Sequence, residues 1–226
     1  MKIVGTELDE VLYGTNFSDL IYGLDGADYI LAYNGNDTVL AGLGNDIVYA
    51  GNGNDRIRGE AGNDQLYGEA GNDIAYGGDG NDLLDGGDGN DVLLGDTGND
   101  QLIGSFGSDF LSGGSGNDII QSHSTNVSNF VVERDEMYGG AGQDQFLLRT
   151  DYLGGAASLN PLNDSSFALV RDFNRFSDTL DLRYNNDYTI RYGNFFGTVA
   201  LDTIISWRGN TVAVVEDNQL ASANLS

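Results

Sequence analysis

The sequence predicts an all-β fold: a flattened right-handed parallel coil of 18-residue turns with a β-rich C-terminal cap. Three observations predict it. Residues Gly5 to Gln121 read as thirteen nonapeptides without an insertion, and the eighth position of each is apolar. Glycine and acidic charge gather in the same stretch: residues 1–121 hold 26 of the 34 Gly, and 22 acidic against 3 basic side chains.

A period of nine suits no helix, because roughly 100° per residue would smear the apolar position around the axis. Within a block the last three residues are β-prone about one apolar centre. The first six are turn formers, as in Gly77-Gly78-Asp79-Gly80-Asn81-Asp82. The apolar series is Leu12, Ile21, Ile30, Val39, Val48, Ile57, Leu66, Ala75, Leu84, Leu93, Leu102, Leu111 and Ile120. One apolar residue per short strand has to face inward, so successive nonapeptides oppose each other and two of them make one turn. Turns stacked at about 4.8 Å then form two parallel sheets.

Position six is Asp19, Asp28, Asp37, Asp46, Asp55, Asp64, Asp73, Asp82, Asp91, Asp100, Asp109 and Asp118, with Glu10 in the first block. Position four is Gly26, Gly35, Gly44, Gly53, Gly62, Gly71, Gly80, Gly89, Gly98, Gly107 and Gly116, after Leu8 and Phe17 in the first two blocks. Residues 18 apart become neighbours in the coil. Asp28, Asp46, Asp64, Asp82, Asp100 and Asp118 therefore form one column, and the alternate Asp residues form the other on the opposite edge. Carboxylates near 5 Å apart repel by roughly 1 kcal/mol per pair even in water. A hard dication between loops reverses that sign. Ca²⁺ accepts about six to eight oxygens, backbone carbonyls included, in flexible geometry, whereas Mg²⁺ demands a stricter octahedron. The softer ligands that transition metals favour are missing, with no Cys and one His. Gly at positions one, two and four is expected to let carbonyls point inward at close approach.

The pattern GGxGxDxUx resembles the calcium-binding nonapeptide repeat of RTX proteins. The resemblance covers Gly5 to Gln121 and implies a parallel β-roll with calcium as its ion. It also implies a ligand set, in which the carbonyls of positions two and four join the Asp of one loop, and the carbonyls of positions one and three join the Asp of the next. One such site would take Glu69 O, Gly71 O and Asp73 with Gly86 O, Asp88 O and Asp91, so that each internal Asp bridges two ions. Six Asp loops per column leave five gaps, or about ten ions in all, with Glu10–Asp28 as a further candidate. Ten Ca²⁺ would set +20 against the net charge of -25. Thirteen core side chains alone cannot offset the ordering of so much glycine, so folding and metal binding are expected to be one event.

Beyond Gln121 the frame is lost through Ser122 to Asn129. Asp135-Glu136-Met137-Tyr138 restarts it and leads into Gly139 to Asp144, which adds Asp135 and Asp144 to the metal-ligating series. Asp118 and Asp144 are 26 residues apart, one short of three repeats. An eight-residue bulging loop followed by one or two more coils accounts for that spacing. The chain thus divides into the calcium-binding coil (1–121), the loop and last repeats (122–147) and a C-terminal cap (148–226). Val170-Arg171-Asp172-Phe173 and Asp178-Thr179-Leu180-Asp181-Leu182 resemble the segment that follows the repeats in serralysin-type proteases and in repeat modules of alginate epimerases. For Asp172, Asp178 and Asp181, a further Ca²⁺ and a plain surface role both remain open. Thr198 to Trp207, the turn Arg208-Gly209-Asn210, and Thr211 to Val215 read as a hairpin. It belongs to an aromatic-rich cap over the open last turn.

The net charge of -25 disfavours nucleic acid and anionic lipid as partners. No stretch approaches the roughly 18 apolar residues of a membrane span, and the first residues lack the apolar run of a signal peptide. Neither an anchor nor an N-terminal signal is expected. The absence of Cys excludes disulfides. His123 lies in the out-of-frame loop and reads as a solvated residue. No nucleophile–base pair or zinc motif stands out, and no helix follows the GxGxxD stretches, so a non-enzyme is expected. The leading functional reading is a secreted, calcium-responsive structural module, and the resemblance implies type I secretion through a signal in an uncleaved C-terminus.

Two other readings stay open. One is a carbohydrate-binding module using the outward Tyr13, Leu31, Tyr49 and Tyr67 on one sheet and Tyr22, Arg58 and Tyr76 on the other, although exposed sheets favour tyrosine in any case. It would make an extracellular polysaccharide a partner. The other is the C-terminal part of a larger secreted toxin or enzyme. An ice-binding threonine ladder at position three is not supported, since that position reads Asp25, Asn34, Leu43, Asn52, Ala61 and Ala70, with Thr97 alone fitting. The oligomeric state is open.

Overall fold

The computed structural model describes residues 1–122, 134–149, 167–173, 178–183, 188–193, 202–207 and 210–215. Among them every regular element is a strand. The strands alternate between two sheets, one of twelve strands and one of nine. Consecutive strands of a sheet are parallel and offset by 18 residues. In one sheet Ile21 pairs with Val39, Val39 with Ile57 and Ile57 with Ala75. In the other, Leu12 pairs with Ile30 and Leu66 with Leu84. Each turn thus lays its position-eight side chain on that of the turn before. The two rows meet in a core where Ile21, Ile30, Val39, Val48, Ile57, Leu66 and their successors are fully buried.

The strands are longer than the three β-prone residues of each block. Leu83–Asp88 spans positions seven to nine and then one to three of the next block, with Leu84 and Gly86 buried. Position one is therefore a second inward position, which explains why only Gly and Ala stand there, including the fully buried Ala32, Ala41 and Ala50. The strand can continue because the parallel ladder runs on to position four, where the N–H of Gly53 donates to Ala70 O and that of Gly71 to Asp88 O, both at 2.8 Å. Only positions four to six, such as Gly80-Asn81-Asp82, form the loop.

Past Ser122 the offset rises to 26: Leu111 pairs with Met137 and Ile120 with Phe146. The eight added residues fall between Ile119–Ser122 and Arg134–Ala141, as the spacing of the Asp residues predicts. Most of that bulge, including His123, lies outside the described residues. Parallel stacking then goes on past residue 147. Phe167–Val170 adds to one sheet through Met137 and Val170, and Thr179–Arg183 adds to the other through Phe146 and Leu180. The twelve-stranded sheet ends with Asn210–Val215, parallel to Phe167–Val170, followed by Asp202–Trp207 and Tyr188–Gly193 in antiparallel order. The Asp202–Trp207 and Asn210–Val215 pair is the expected hairpin; residues 198–201 and 208–209 lie outside the described residues.

Candidate metal centre

Every loop presents the same polar device to the next turn. The N–H of a position-six Asp donates to Oδ1 of the Asp one turn later, as Asp55 does to Asp73 at 2.7 Å and Asp73 to Asp91 at 2.8 Å. One column runs by these bonds from Asp19 through Asp37, Asp55, Asp73, Asp91 and Asp109 to Asp135. The other runs from Asp28 through Asp46, Asp64, Asp82, Asp100 and Asp118 to Asp144. All fourteen of these Asp residues are buried, 1–5 % exposed.

The second carboxylate oxygen is different. Oδ2 of Asp28, Asp37, Asp46, Asp55, Asp64, Asp73, Asp82, Asp91, Asp100, Asp118 and Asp144 is buried without a hydrogen-bond partner. A buried carboxylate oxygen left so is costly unless a cation takes it up. Its direction is forward, toward the next turn. The point where a Cβ on Gly68 would sit lies 2.5 Å from Asp73 Oδ2 and 2.5 Å from Gly86 O, the position-one carbonyl one turn on. These are two of the six oxygens that the RTX resemblance implies for one ion. The same pairing recurs at Gly59 with Asp64 Oδ2 and Gly77 O, and at Gly95 with Asp100 Oδ2 and Gly113 O. Among the described residues no three acidic or imidazole side chains converge on one point. An ion held here would take most of its oxygens from the backbone, a set suited to Ca²⁺.

The electrostatics agree. Burial pushes the carboxyls of Asp64, Asp73 and Asp100 up to about 7, and neighbouring carboxylates add to it, against the lowering effect of the accepted N–H bond. Burial likewise pushes Asp46, Asp55, Asp91 and Asp144 up to about 6, and raises Asp28, Asp37, Asp82 and Asp118.

Asp19 is the exception. Burial alone would raise it, but the Met1 ammonium and the Thr15 hydroxyl and N–H hold it below its ordinary value. Thr15 donates to Asp19 Oδ2 from its N–H at 2.6 Å and its hydroxyl at 2.8 Å. Thr6 does the same for Glu10, at 2.9 and 2.6 Å. The first rung of each column thus finds its donors in the chain itself. Thr at position two was the available signal, and the sequence reading passed over it.

Glycine also has a different distribution of roles from the one expected. Position four requires it: Gly71 has a φ of +136°, and the Gly53 carbonyl oxygen lies where its Cβ would be. Position one needs small size without a left-handed φ. Position two takes a left-handed φ even in side-chain residues, among them Leu24, Tyr33, Glu60 and Glu69. Ladder bonds on both sides fix that backbone and hold a conformation that ordinary residues avoid.

The role of Asn at position five was also missed. Asn63 N–H donates to Asn45 Oδ1 at 2.7 Å, Asn81 to Asn63 at 2.7 Å and Asn99 to Asn81 at 2.8 Å, and a matching series runs from Asn36 to Asn90 on the other edge. These bonds hold the loop tips in register beside the carboxylates.

The RTX calcium-binding nonapeptide repeat model matches the chain at residues 4–39, 13–48, 31–66, 40–75, 49–84, 59–93, 67–102 and 85–120, which together span 4–120. No curated protein matches by sequence. Among solved structures, the solution structure of the AlgE6R3 subunit from the Azotobacter vinelandii mannuronan C5-epimerase is 18 % identical, covering 98 % of this chain and 77 % of that one, with a TM-score of 0.18. A superposition that slight informs neither the fold nor a ligand. The family match spans more than half of the chain and coincides with the stacked loops and their Asp columns, and the chain belongs to the RTX calcium-binding nonapeptide repeat family.

Proposed function

We propose that this chain is a calcium-driven structural module: a coil whose folding is completed by Ca²⁺ held between successive loops. The observation that carries it is the row of buried Oδ2 atoms without a hydrogen-bond partner, which at Asp28, Asp64, Asp73, Asp82 and Asp100 lie beside the position-one carbonyl of the next turn. Bound Ca²⁺ would supply the positive charge that the columns lack. In a typical gap Asp73 Oδ2 and Gly86 O would be joined by Asp91 and by the carbonyls of Glu69, Gly71 and Asp88. With the Glu10 and Asp19 rungs supplied by threonine, eleven gaps remain: Asp37 to Asp135 has five and Asp28 to Asp144 has six. The count differs from the expected ten by leaving out the Asp19–Asp37 gap and adding those that end at Asp135 and Asp144.

The remaining parts take supporting roles. Residues 1–121 would supply most of the ligands, 122–147 would carry the bulge and the further rungs Asp135 and Asp144, and 148–226 would close the open end. No catalytic step is assigned, since the repeat employs its carboxylates as rungs. RTX repeats are typical of secreted proteins, and affinities of extracellular calcium modules lie near 10⁻⁴ to 10⁻³ M, roughly. The chain would stay unfolded where calcium is scarce and fold outside the cell, which suits type I secretion.

The sugar-binding reading gains no support from four of the outward tyrosines, because each has a ring face taken by a neighbouring side chain. Tyr49 and Tyr67 stack at 4.7 Å with planes 10° apart. Lys2 lies 4.9 Å over the Tyr22 ring and Arg58 5.0 Å over that of Tyr76.

Circular dichroism during a calcium titration tests the proposal. A coil spectrum in chelator should give way cooperatively to a β spectrum at millimolar Ca²⁺, with no such change in equal Mg²⁺. A spectrum unchanged across the titration would overturn it.

A further inference from the structure

The column that begins at Asp28 does not end with the last nonapeptide. Asp144 N–H donates at 3.2 Å to Oδ1 of Asp178, which lies 34 residues further on and outside the family match. This is the bond that joins every rung to the next, made here to a residue of the C-terminal segment. The strands on either side keep the register, with Gln145 on Thr179 and Phe146 on Leu180.

We infer that the gap between Asp144 and the pair Asp172 and Asp178 is a further calcium site, which ties the C-terminal segment to the coil. This rests on the calcium reading proposed above. Asp144 is 1 % exposed, and its Oδ2 has no hydrogen-bond partner and points over Gly139, into the gap. In the regular turns the residue stacked on position one offers its carbonyl at that place, as Gly86 does over Gly68. Continuing the register from Met137 on Val170, the residue stacked on Gly139 is Asp172. It presents a carboxylate there instead. Its Oδ1 accepts the Gly139 N–H at 2.7 Å and its Oδ2 the Gly140 N–H at 2.8 Å, which anchors it at the mouth of the gap. Each of these oxygens keeps a further lone pair. Asp172 and Asp178 are both half-exposed, so the gap is open to ions from solvent.

Asp144 and Asp178 are the two carboxylates of a regular gap, and Asp172 adds a third charge at its mouth without the three converging on one point, so an ion here would still take part of its oxygens from the backbone. The ligands are all oxygen, and the ion they suit is a hard dication in flexible geometry. The ion would bridge the last regular loop to the segment that carries Thr179–Arg183, so occupying it would dock that strand on the nine-stranded sheet. The turn that follows the repeats would then fold last, with the coil already formed as its template.

The test uses the full chain and calcium alone. Bound calcium per chain is measured by elemental analysis at saturating Ca²⁺ for the wild type, Asp178→Asn, Asp172→Asn and a control, Asp25→Asn, which removes an exposed position-three carboxylate. Amide exchange over Thr179–Arg183 is followed in parallel. Asp178→Asn should bind one ion fewer than wild type, and amide protection of Thr179–Arg183 should fall at least tenfold, while the calcium midpoint of the coil spectrum moves by less than about twofold. Asp172→Asn should weaken the same single site, and Asp25→Asn should match wild type. An unchanged ion count in Asp178→Asn, or equal loss in the control, overturns the inference. If Asp178→Asn fails to fold, Asp172→Asn decides by the same count. A wild type that binds no calcium overturns the functional proposal itself, an outcome distinct from a wild type that binds and folds but loses no ion on substitution.

Discussion

Asp73 separates the two jobs of a rung, and two substitutions there give opposite results with and without calcium. Its Oδ1 accepts the Asp55 N–H, while its Oδ2 faces the next loop beside Gly86 O. Burial lifts its pKa from 3.8 to about 7. Without metal, holding the charge at pH 7.5 therefore costs about 4 kcal/mol, a large share of a typical domain's stability. Asp73→Asn abolishes that cost, keeps an oxygen for the Asp55 N–H and turns an N–H₂ toward Gly86 O. Asp73→Ala abolishes the charge too but leaves the buried Asp55 N–H without its acceptor, at about 1–3 kcal/mol. In chelator the order of stability should be Asn, then Ala, then wild type. In millimolar calcium wild type should move from last to first, with Asn still ahead of Ala, and the variants should lose up to two ions from the gaps on either side. The assay is the osmolyte concentration needed to fold each variant in chelator, by circular dichroism, against the thermal midpoint of each in calcium. If Asp73→Asn folds no more readily than wild type in chelator, the carboxylate columns are not what opposes the metal-free fold.

The carboxyls raised to about 6 or 7 bind protons more tightly folded than unfolded. The metal-free coil should therefore be most stable below about pH 4 and lose that stability as pH rises through 7. Calcium midpoints should correspondingly rise as pH falls from 7 to 5, and a midpoint independent of pH would speak against shared oxygens. Gly62→Ala, at a φ of +141° and with the Gly44 carbonyl in the way, should abolish calcium-induced folding. Gly59→Ala, at a position where Ala32, Ala41 and Ala50 are tolerated, should still fold with a higher calcium midpoint; circular dichroism titrations distinguish the two. A chain ending at Gln121 loses the Asp135 and Asp144 rungs and the strands stacked on its last turn, and should need several-fold more calcium than the full chain.

The parts of the molecule that were legible in the sequence are those that repeat with the period. Position eight announced the core and position six the columns, because a burial or a charge repeated every nine residues leaves a trace that no single contact would. What stayed hidden was the direction of each group. That one carboxylate oxygen looks back to an N–H and the other forward into the gap is a property of the stacked turn, and the letters Asp73 and Asp91 do not contain it. Strand length was misjudged because Gly and Asp at positions one to three look like turn formers. In the coil the parallel ladder reaches them from both sides and overrides that preference. Thr6 and Thr15 looked like departures from a glycine consensus, yet they give the first rungs their own donors.

Asp178 stood in the sequence only as one of three open candidates, and its place in the column stayed hidden for a deeper reason: the period is a consequence of the stacking, not its cause. Along one column successive rungs are 18 residues apart as far as Asp118, then 26 to Asp144, then 34 to Asp178. The N–H to carboxylate distance only drifts from 2.9 to 3.0 to 3.2 Å across those steps. The paired strands fix where the next Asp must stand, and the number of residues between them can grow at little cost, since closure entropy grows only slowly with loop length. A search for nines breaks at Gln121 and resumes only for Asp135 and Asp144, whereas the column runs on to Asp178. The physical unit of this coil is one apolar residue and one carboxylate set on the same pair of strands, and the number of residues between them is free to vary.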